Sequence, residues 1–468
     1  MADIHSLLNR NLFIPLYDLK EKNKRLKYVG KIEAFNSLSR DELESAQWQS
    51  TRQILKHASE NIPFYRKKYG EAGVSWRDIR TPEDLTNIPT LTRDDIRGHG
   101  PELLADGVET DGLVESATGG TISSPIALYL SRDCMDMRLA ATVAFNKWFG
   151  YELGDKAVFL WGAAQDFPEL VGIDALKARI RNALTNRILW MPTSYLDDSI
   201  LAGYYELLCK YKPAVIQAYP TPLYLFAKYM WKNDLSYKPK TITVAAETLY
   251  DYQREQIESV FQCKVFDWYG SRELGHMASE CAAHNGLHVN AFHLFIESIS
   301  GDKQVLETEG SLVVTDLKNM AMPLIRYEIG DVGVISKRAC PCGSSLPILE
   351  RVSGRLVDTF VTASGGRVPG VALTNRVIKD CQGIEQMQVI QEDFEQFTIR
   401  IVKGKDFTNL DLKKLESAMH GYFDTGIHID YDFVEAIPLE KSGKSRFCIC
   451  RIDEEANSAT SYETARTD

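Results

Sequence analysis

Short apolar runs alternate with segments of helical periodicity over the middle of the chain, residues 156–314. The runs predict strands and the periodic segments predict helices, so the pattern favours a largely parallel sheet with helices on both faces. The predicted strands cover residues 157–161, 187–191, 214–218, 242–245 and 265–268, and the predicted helices cover 197–211, 221–232 and 250–261.

The two ends of the chain have other patterns. Residues 1–75 are predicted to be helical, with a capping box from Ser39 to Glu42. Predicted strands at 387–390, 397–402 and 427–434, with a helix at 409–422, indicate a smaller unit. The sequence thus predicts an α/β fold with a large N-terminal domain of mostly parallel sheets flanked by helices (1–355), a small mobile α+β C-terminal domain (356–456) and a disordered tail (457–468).

Composition places the chain among globular proteins, because 44% of its 468 residues are hydrophobic and 25% are charged. The net charge of -10 argues against nucleic acid or an anionic membrane as the main partner. No apolar run is long enough to span a bilayer and no signal peptide is recognisable, so we expect a cytoplasmic protein without a membrane span. The nine cysteines are an odd number, and most stand apart, which favours reduced thiols or a metal site over a disulfide framework.

One stretch, VFDWYGSRELG at residues 265–275, combines an aromatic strand with a carboxylate. Gly270 and Ser271 end the predicted strand just before Glu273, at the strand end where open α/β sheets bind ligands. The aromatic residues could hold a flat base and the carboxylate a magnesium ion. A core strand followed by a solvated turn is the alternative interpretation of this stretch.

Four other short segments contain candidate chemistry. The loop SATGGTISSP (116–125) offers hydroxyls and backbone N–H groups to an anionic phosphate, although a flexible turn is the alternative and the loop is not a P-loop. It is followed along the chain by RYEIGD (326–331), GRLVD (354–358) and the basic loop LEKSGKSR (439–446).

Taken in order, these segments resemble the adenylate-forming superfamily of acyl-coenzyme A synthetases, and in particular its phenylacetate-coenzyme A ligases and capsular-polysaccharide proteins. NIPFYRKKYGEAG and IPTLTRDDIR near the N-terminus add to the likeness. The resemblance implies a nucleotide site for ATP, with Tyr269 stacked on adenine, Asp331 on the ribose hydroxyls and Glu273 on magnesium. The further nucleotide-binding residues that it implies are Ser116, Thr118, Gly119, Gly120, Thr121, Ala246, Glu247, Trp268, Gly270 and Arg355.

The resemblance also implies a catalytic lysine, Lys444, in the C-terminal loop. A positioned ammonium would stabilise the charge that develops when a carboxylate attacks the α-phosphorus, although an exposed basic hairpin is the alternative. The chain departs from the family at two places. Ser123 and Ser124 replace the usual Gly-Lys of the phosphate loop, and Val357-Asp358 replaces two aspartates, so the hinge is expected to be shifted or stiffer.

Cysteine and histidine side chains indicate a metal site as well. Cys281, His288, Cys340 and Cys342 could bind zinc tetrahedrally, with His284 competing for the histidine position. Family members in this branch have similar segments. Such a closed site would be structural and would join the 281–290 loop to the 340 loop.

The sequence therefore predicts an acid-thiol ligase that uses ATP and Mg²⁺ to make an acyl-AMP and then transfers the acyl group, with coenzyme A as the expected acceptor. Aromatic residues near Trp161, 219–222 and Trp268 favour an aryl or apolar acid, although aromatic residues are also ordinary core. Transfer to an amine, transfer of AMP to a hydroxyl, and a non-catalytic nucleotide-binding scaffold stay open as alternatives. The acid, the acceptor and the oligomeric state, including a homodimer, are left open by the sequence.

Overall fold

The computed structural model describes residues 4–117, 126–161, 172–193, 196–247, 249, 251–301, 303–336, 338–353, 359–362, 367–369, 373, 381, 383–423, 426–435, 437 and 448–452. The predicted domain boundary at 355 and the predicted tail at 457–468 lie outside these residues. No helix within the described ranges is long and apolar enough to cross a membrane.

Helices dominate the N-terminal region and alternate with strands in the middle of the chain. The helices are α1 (Ile4–Leu8), α2 (Ile14–Lys20), α3 (Arg25–Asn36), α4 (Arg40–Asn61), α5 (Pro63–Glu71), α6 (Arg93–His99), α7 (Arg132–Asn146), α8 (Gly172–Leu184), α9 (Asp198–Tyr211), α10 (Pro220–Lys232), α11 (Asp251–Phe261) and α12 (Asn409–His420). A π-helical turn, Asn9–Phe13, joins α1 to α2. The predicted capping box is confirmed, because the Ser39 backbone N–H donates to Glu42 Oε2 at 3.0 Å.

Within the described residues, the strands form one large sheet and three smaller ones. They are β1 (Val114–Ala117), β2 (Ala127–Leu130), β3 (Ala157–Trp161), β4 (Ile188–Pro192), β5 (Val215–Ala218), β6 (Thr241–Val244), β7 (Val265–Ser271), β8 (Gly275–Ser279), β9 (Leu287–Val289), β10 (Leu294–Ser300), β11 (Lys303–Gln304), β12 (Glu309–Asp316), β13 (Tyr327–Ser336), β14 (Ile348–Ser353), β15 (Thr359–Val361), β16 (Arg367–Pro369), β17 (Ile384–Gln391), β18 (Gln396–Lys403), β19 (His428–Phe433) and β20 (Cys448–Cys450).

The large sheet has the order β11-β10-β12-β13-β14-β9-β8-β7-β6-β5-β3-β4. Strands β4, β3, β5, β6 and β7 pair in parallel, as the strand–helix alternation predicts. From β7 onward the pairing is antiparallel, which corrects the prediction of mostly parallel sheets. The reason is the short connections in this half, such as residues 272–274 between β7 and β8, since only antiparallel neighbours can be joined so briefly.

Each part of the fold has its own core. Phe226 and Phe261 are fully buried beneath the parallel half, where α10 and α11 pack. The N-terminal helices pack on the antiparallel half, and Tyr65 Oη donates there to the Pro323 carbonyl at 2.8 Å. The smaller C-terminal unit is confirmed as α+β, because α12 buries Leu415 and other apolar residues against the sheet β19-β18-β17-β20.

Candidate active site

The carboxylate predicted after β7 is buried in the turn that leads to β8. Glu273 is only 4% exposed, so the alternative of a solvated turn is wrong. The turn depends on Gly270, because a Cβ at this position would lie 2.6 Å from the Gly275 carbonyl oxygen and 2.7 Å from the Trp268 ring. The strand pairing also shifts its register between Tyr269 and Gly270. A glycine is therefore required where the backbone bends to present the carboxylate.

Glu273 is held by an arginine from the first turn of α6. Arg93 Nη2 donates to Glu273 Oε1 at 3.0 Å, and Arg93 Nε donates to the Tyr327 hydroxyl at 3.0 Å. Tyr327 in turn donates to the same Glu273 oxygen at 3.4 Å. Burial lowers the pKa of Arg93, but the neighbouring Tyr327 and Glu273 raise it further, so that the pKa lies above its ordinary value. Arg93 is therefore a permanent cation beside the carboxylate.

A second arginine, Arg138, fixes the backbone of the same turn. Its Nη2 donates to the Glu273 carbonyl oxygen at 2.6 Å and to Asp316 Oδ2 at 2.9 Å. Burial opposes ionisation of Asp316, but His293 and Arg138 outweigh it and hold the pKa of the carboxyl well below its usual range. Asp316 thus stays ionised and keeps Arg138 under the turn. The side chain of Glu273 is therefore positioned by the partly buried Arg93 and its backbone by the buried Arg138.

The predicted adenine-stacking and ribose-binding residues meet beside this turn. Tyr269 Oη on β7 donates to Asp331 Oδ2 on β13 at 2.6 Å. Asp331 also lines a cavity of about 530 Å³ together with Arg326, Glu328 and Gly330. An aspartate at this position could simply cap the turn at Gly330, but the hydrogen bond with Tyr269 shows that Asp331 also contacts β7.

Ala246 and Glu247 follow β6, the parallel neighbour of β7. Ala246 has a φ of 73°, a left-handed conformation that costs energy for a residue with a Cβ. Such local strain is typical of functional loops. Since β6 and β7 end at the same edge of the sheet, Ala246 and Glu247 lie on the side of the sheet predicted to bind the nucleotide.

The Trp268 ring is stacked on a buried histidine. Its centroid lies 4.8 Å from that of His276, with the planes 6° apart, and Phe145 covers the other face of the imidazole at 5.1 Å. Burial lowers the pKa of His276 to about 3, so the ring is neutral at pH 7. Elsewhere along the strand ends, the ring of Trp161, the last residue of β3, lies 4.2 Å from the ring of Tyr219, which follows β5. These two rings lie in the region predicted to bind the acid.

A Cys/His cluster joins the loops after β8 and β13. One ligand atom from each of Cys281, His288, Cys340 and Cys342 lies within 4.8 Å of all the others. The Cys281 and Cys340 sulfurs are 3.6 Å apart, and the Cys342 sulfur lies 3.4 Å from His288 Nε2. Two thiolates bound to one tetrahedral zinc would be separated by about 3.8 Å, so the spacing suits that ion.

The other histidine candidate does not join this cluster. His284 Nδ1 lies 3.1 Å from Glu280 Oε2, and its ring is stacked on Phe266 at 4.8 Å. Among the four clustered residues, burial raises the pKa of Cys281 to about 12. Burial also acts to raise the pKa of Cys340, but hydrogen bonds from Cys342 lower it more, so that its pKa is below the ordinary value.

Comparisons with known proteins show which proteins this chain is similar to. A family model described as the CapK C-terminal domain matches residues 360–451. The chain is 26% identical over 426 residues to Protein CapK of Staphylococcus aureus, with 88% of this chain and 90% of that protein covered. It is also 26% identical over 362 residues to a phenylacetate-coenzyme A ligase of Thermus thermophilus, with 72% and 76% covered.

These relatives and the C-terminal family model support an adenylate-forming, phenylacetate-coenzyme A ligase-like family. A solved structure of 2-hydroxyisobutyryl-CoA ligase, in complex with 2-HIB-AMP and CoA in the thioesterification state, has a TM-score of 0.61 at 18% identity and covers 92% of this chain and 94% of that one. An open conformation of the same ligase has a TM-score of 0.57, and the match covers 89% of this chain and 93% of that one. These structures establish the shared fold.

Several family motif residues fall outside the described ranges. They are Thr118, Gly119, Gly120, Thr121, Arg355 and Lys444, along with the two departures at Ser123-Ser124 and Val357-Asp358. Ser116 is described, on β1 opposite Leu128. Sequence reasoning missed Arg93 and Arg138. The signal available for Arg93 was its place in the first turn of a helix, where the dipole disfavours a cation unless an anion is near.

Proposed function

We propose that this protein is an ATP- and Mg²⁺-dependent ligase that adenylates a carboxylic acid and passes the acyl group to the thiol of coenzyme A. The observation that carries the proposal is the placement of Glu273 and the Tyr269–Asp331 pair on one side of the sheet. The similarity to phenylacetate-coenzyme A ligases, which are acid-thiol ligases, supports the same reaction class.

In the first half-reaction, an oxygen of the acid attacks the α-phosphorus of ATP and pyrophosphate leaves. Tyr269 would stack on adenine, and the Asp331 carboxylate, which accepts a bond from Tyr269, would also accept hydrogen bonds from the ribose hydroxyls. Arg93 and Tyr327 position the Glu273 carboxylate, which would bind magnesium. The ion would neutralise charge on the phosphates.

Lys444 would act on the same half-reaction from the C-terminal unit. Its ammonium would stabilise charge on the phosphoryl oxygens in the transition state. The coenzyme A thiolate would then attack the acyl carbon and release AMP, which requires Lys444 to withdraw. We place the hinge for that movement at residues 354–358, between a nucleotide-binding domain (1–355) and a lid domain (356–456).

The Cys281, His288, Cys340 and Cys342 cluster would hold a structural zinc ion. All four ligands come from the protein, which is typical of structural sites, since a catalytic zinc keeps an open position. The ion would tie the two loops together at the end of the antiparallel half of the sheet.

Acid-dependent exchange of labelled pyrophosphate into ATP, measured over a panel of aryl, aliphatic and hydroxy acids, tests the proposal. Product formation with each active acid is then measured with and without coenzyme A. Turnover that needs the thiol supports the ligase, whereas turnover indifferent to it would favour transfer to an amine or hydroxyl. ATP binding without exchange for any acid would support a non-catalytic scaffold.

A further inference from the structure

The first two helices of the chain present their apolar side to solvent. The exposed residues recur every three or four positions and form one stripe, which consists of Ile4, Leu8, Leu12, Leu16 and Leu19. The inward side contains polar residues, because Ser6, Asn9 and Asp18 are buried there together with Ile14. An ordinary surface helix turns most of its apolar residues inward, whereas here five of them face solvent.

Specific polar contacts hold the helices in this orientation. Ser6 Oγ accepts a hydrogen bond from Arg187 Nη1 at 2.8 Å. Asp18 accepts from Arg25 Nη2 at 3.0 Å. A Cβ at Gly154 would lie 2.8 Å from the Ser6 carbonyl oxygen, so the helix lies directly on the body of the protein at that point. The outward apolar stripe is therefore part of the folded structure.

Helix α8 has a similar exposed stripe. Leu176, Ile180 and Leu184 are spaced four residues apart and are 56%, 51% and 38% exposed. The two stripes meet around an open cavity of about 580 Å³, to which Leu16, Ile180 and Leu184 contribute. We call this surface the N-terminal apolar face and define it by the exposed residues Leu12, Leu16, Leu19, Leu176, Ile180 and Leu184.

Basic side chains border the cavity of the N-terminal apolar face. Among the residues that the structure describes, Lys20, Lys177 and Arg181 line this cavity together with one acidic residue, Glu21, and Arg179 is exposed on α8. This is a local excess of positive charge on a chain whose net charge is -10. Because charges in salt are screened beyond about 10 Å, the local excess governs what the face attracts.

We propose that the N-terminal apolar face binds the surface of an anionic lipid membrane, with the leucines at the headgroup–acyl boundary and the basic residues against the headgroups. An apolar stripe bordered by lysine and arginine is the composition of interfacial helices. A second copy of this chain fits less well, because a twofold interface would bring the two basic rims together.

Co-sedimentation of the full-length protein with lipid vesicles tests the proposal. We expect binding to vesicles of phosphatidylcholine mixed with phosphatidylglycerol, weak binding to phosphatidylcholine alone, and release by salt. Leu16→Ser/Ile180→Ser should weaken binding at least ~10-fold. Lys177→Glu/Arg181→Glu should weaken binding to the anionic vesicles ~10-fold. All four side chains are exposed, so the thermal midpoint should not change.

Leu410→Ser on α12 is the matched apolar control, since Leu410 is 59% exposed, and Lys232→Glu on α10 is the matched charge control. Both should bind vesicles like the unaltered protein. The proposal is overturned if the unaltered protein does not sediment with anionic vesicles, or if the face variants bind as well as the controls. It is also overturned if the protein is a dimer in ultracentrifugation that Leu16→Ser/Ile180→Ser dissociates, because the face would then belong to a second copy.

Discussion

Arg93 and Glu273 are 180 positions apart in the chain, yet Nη2 of the arginine lies 3.0 Å from Oε1 of the glutamate. The pair joins the first turn of α6 to the turn after β7, and the glutamate side chain is 5% exposed. An ionised carboxylate at this depth needs a partner to stay charged, and it must stay charged to bind a divalent cation.

Arg93→Ala should therefore lower the free energy of unfolding by ~3 kcal/mol, because it leaves a buried carboxylate without its cation. Urea denaturation measures the loss. Arg97→Ala on the same helix is the matched control, since Arg97 pairs with the exposed Asp94. The double variant Arg93→Ala/Glu273→Gln should be more stable than the sum of the two single losses predicts. If the losses of free energy in the two single variants simply add in the double variant, the assigned pairing is contradicted.

Lys444→Ala should slow acid-dependent pyrophosphate release by about 100-fold or more, the range seen when one transition-state donor is lost. ATP binding should persist, because the lysine acts on charge that develops during the reaction. Rapid-quench measurement of pyrophosphate and equilibrium binding of ATP separate the two effects. Lys441→Ala, in the same loop, is the control, and equal rates for both variants would refute the assignment of Lys444.

The protein should contain one zinc ion per chain, which mass spectrometry under native conditions or elemental analysis can measure. Cys340→Ser should abolish zinc binding and lower the thermal midpoint, because the ion joins two loops. Cys263→Ser, at a cysteine outside the cluster, should keep the zinc. If the purified protein contains no metal and a chelator does not change its thermal midpoint, the zinc site is contradicted and the cluster consists of packed thiols.

We expect the free energy of unfolding to fall in acid, because His276 is buried and neutral. Its pKa is lowered from 6.5 to about 3 in the folded state, so below pH 6.5 the unfolded chain binds a proton that the folded chain excludes. Above pH 6.5 the neutral His276 has no such effect on the free energy of unfolding. Below pH 6.5 that free energy falls by about 1.4 kcal/mol per pH unit until pH 3 is approached. The free energy of unfolding, measured with urea at each pH in that range, should change less steeply with pH in His276→Phe than in a control variant, His428→Phe. An identical slope in the two variants would contradict the prediction.

Local patterns in the sequence determined much of the fold. The alternation of apolar runs and helical segments predicted β3, β5, β6 and β7 with α9, α10 and α11 between them, because periodicity and capping are local properties. The antiparallel half was not predicted, since its order depends on which strands pair across the sheet. β14, for example, pairs with β9, and neither the length nor the polarity of the two strands specifies that contact.

The candidate site was likewise predicted only in part from the sequence. The type, spacing and resemblance of residues in the sequence were enough to nominate Tyr269, Glu273, Asp331 and the four residues of the Cys/His cluster as candidates. Only the tertiary structure showed which of these groups are in contact. Tyr269 donates to Asp331, and Arg93 holds Glu273. His288, and not His284, joins the cysteines. The physical reason is that a sequence specifies which groups are available, whereas distances and burial arise only when strands and helices remote in the chain pack together.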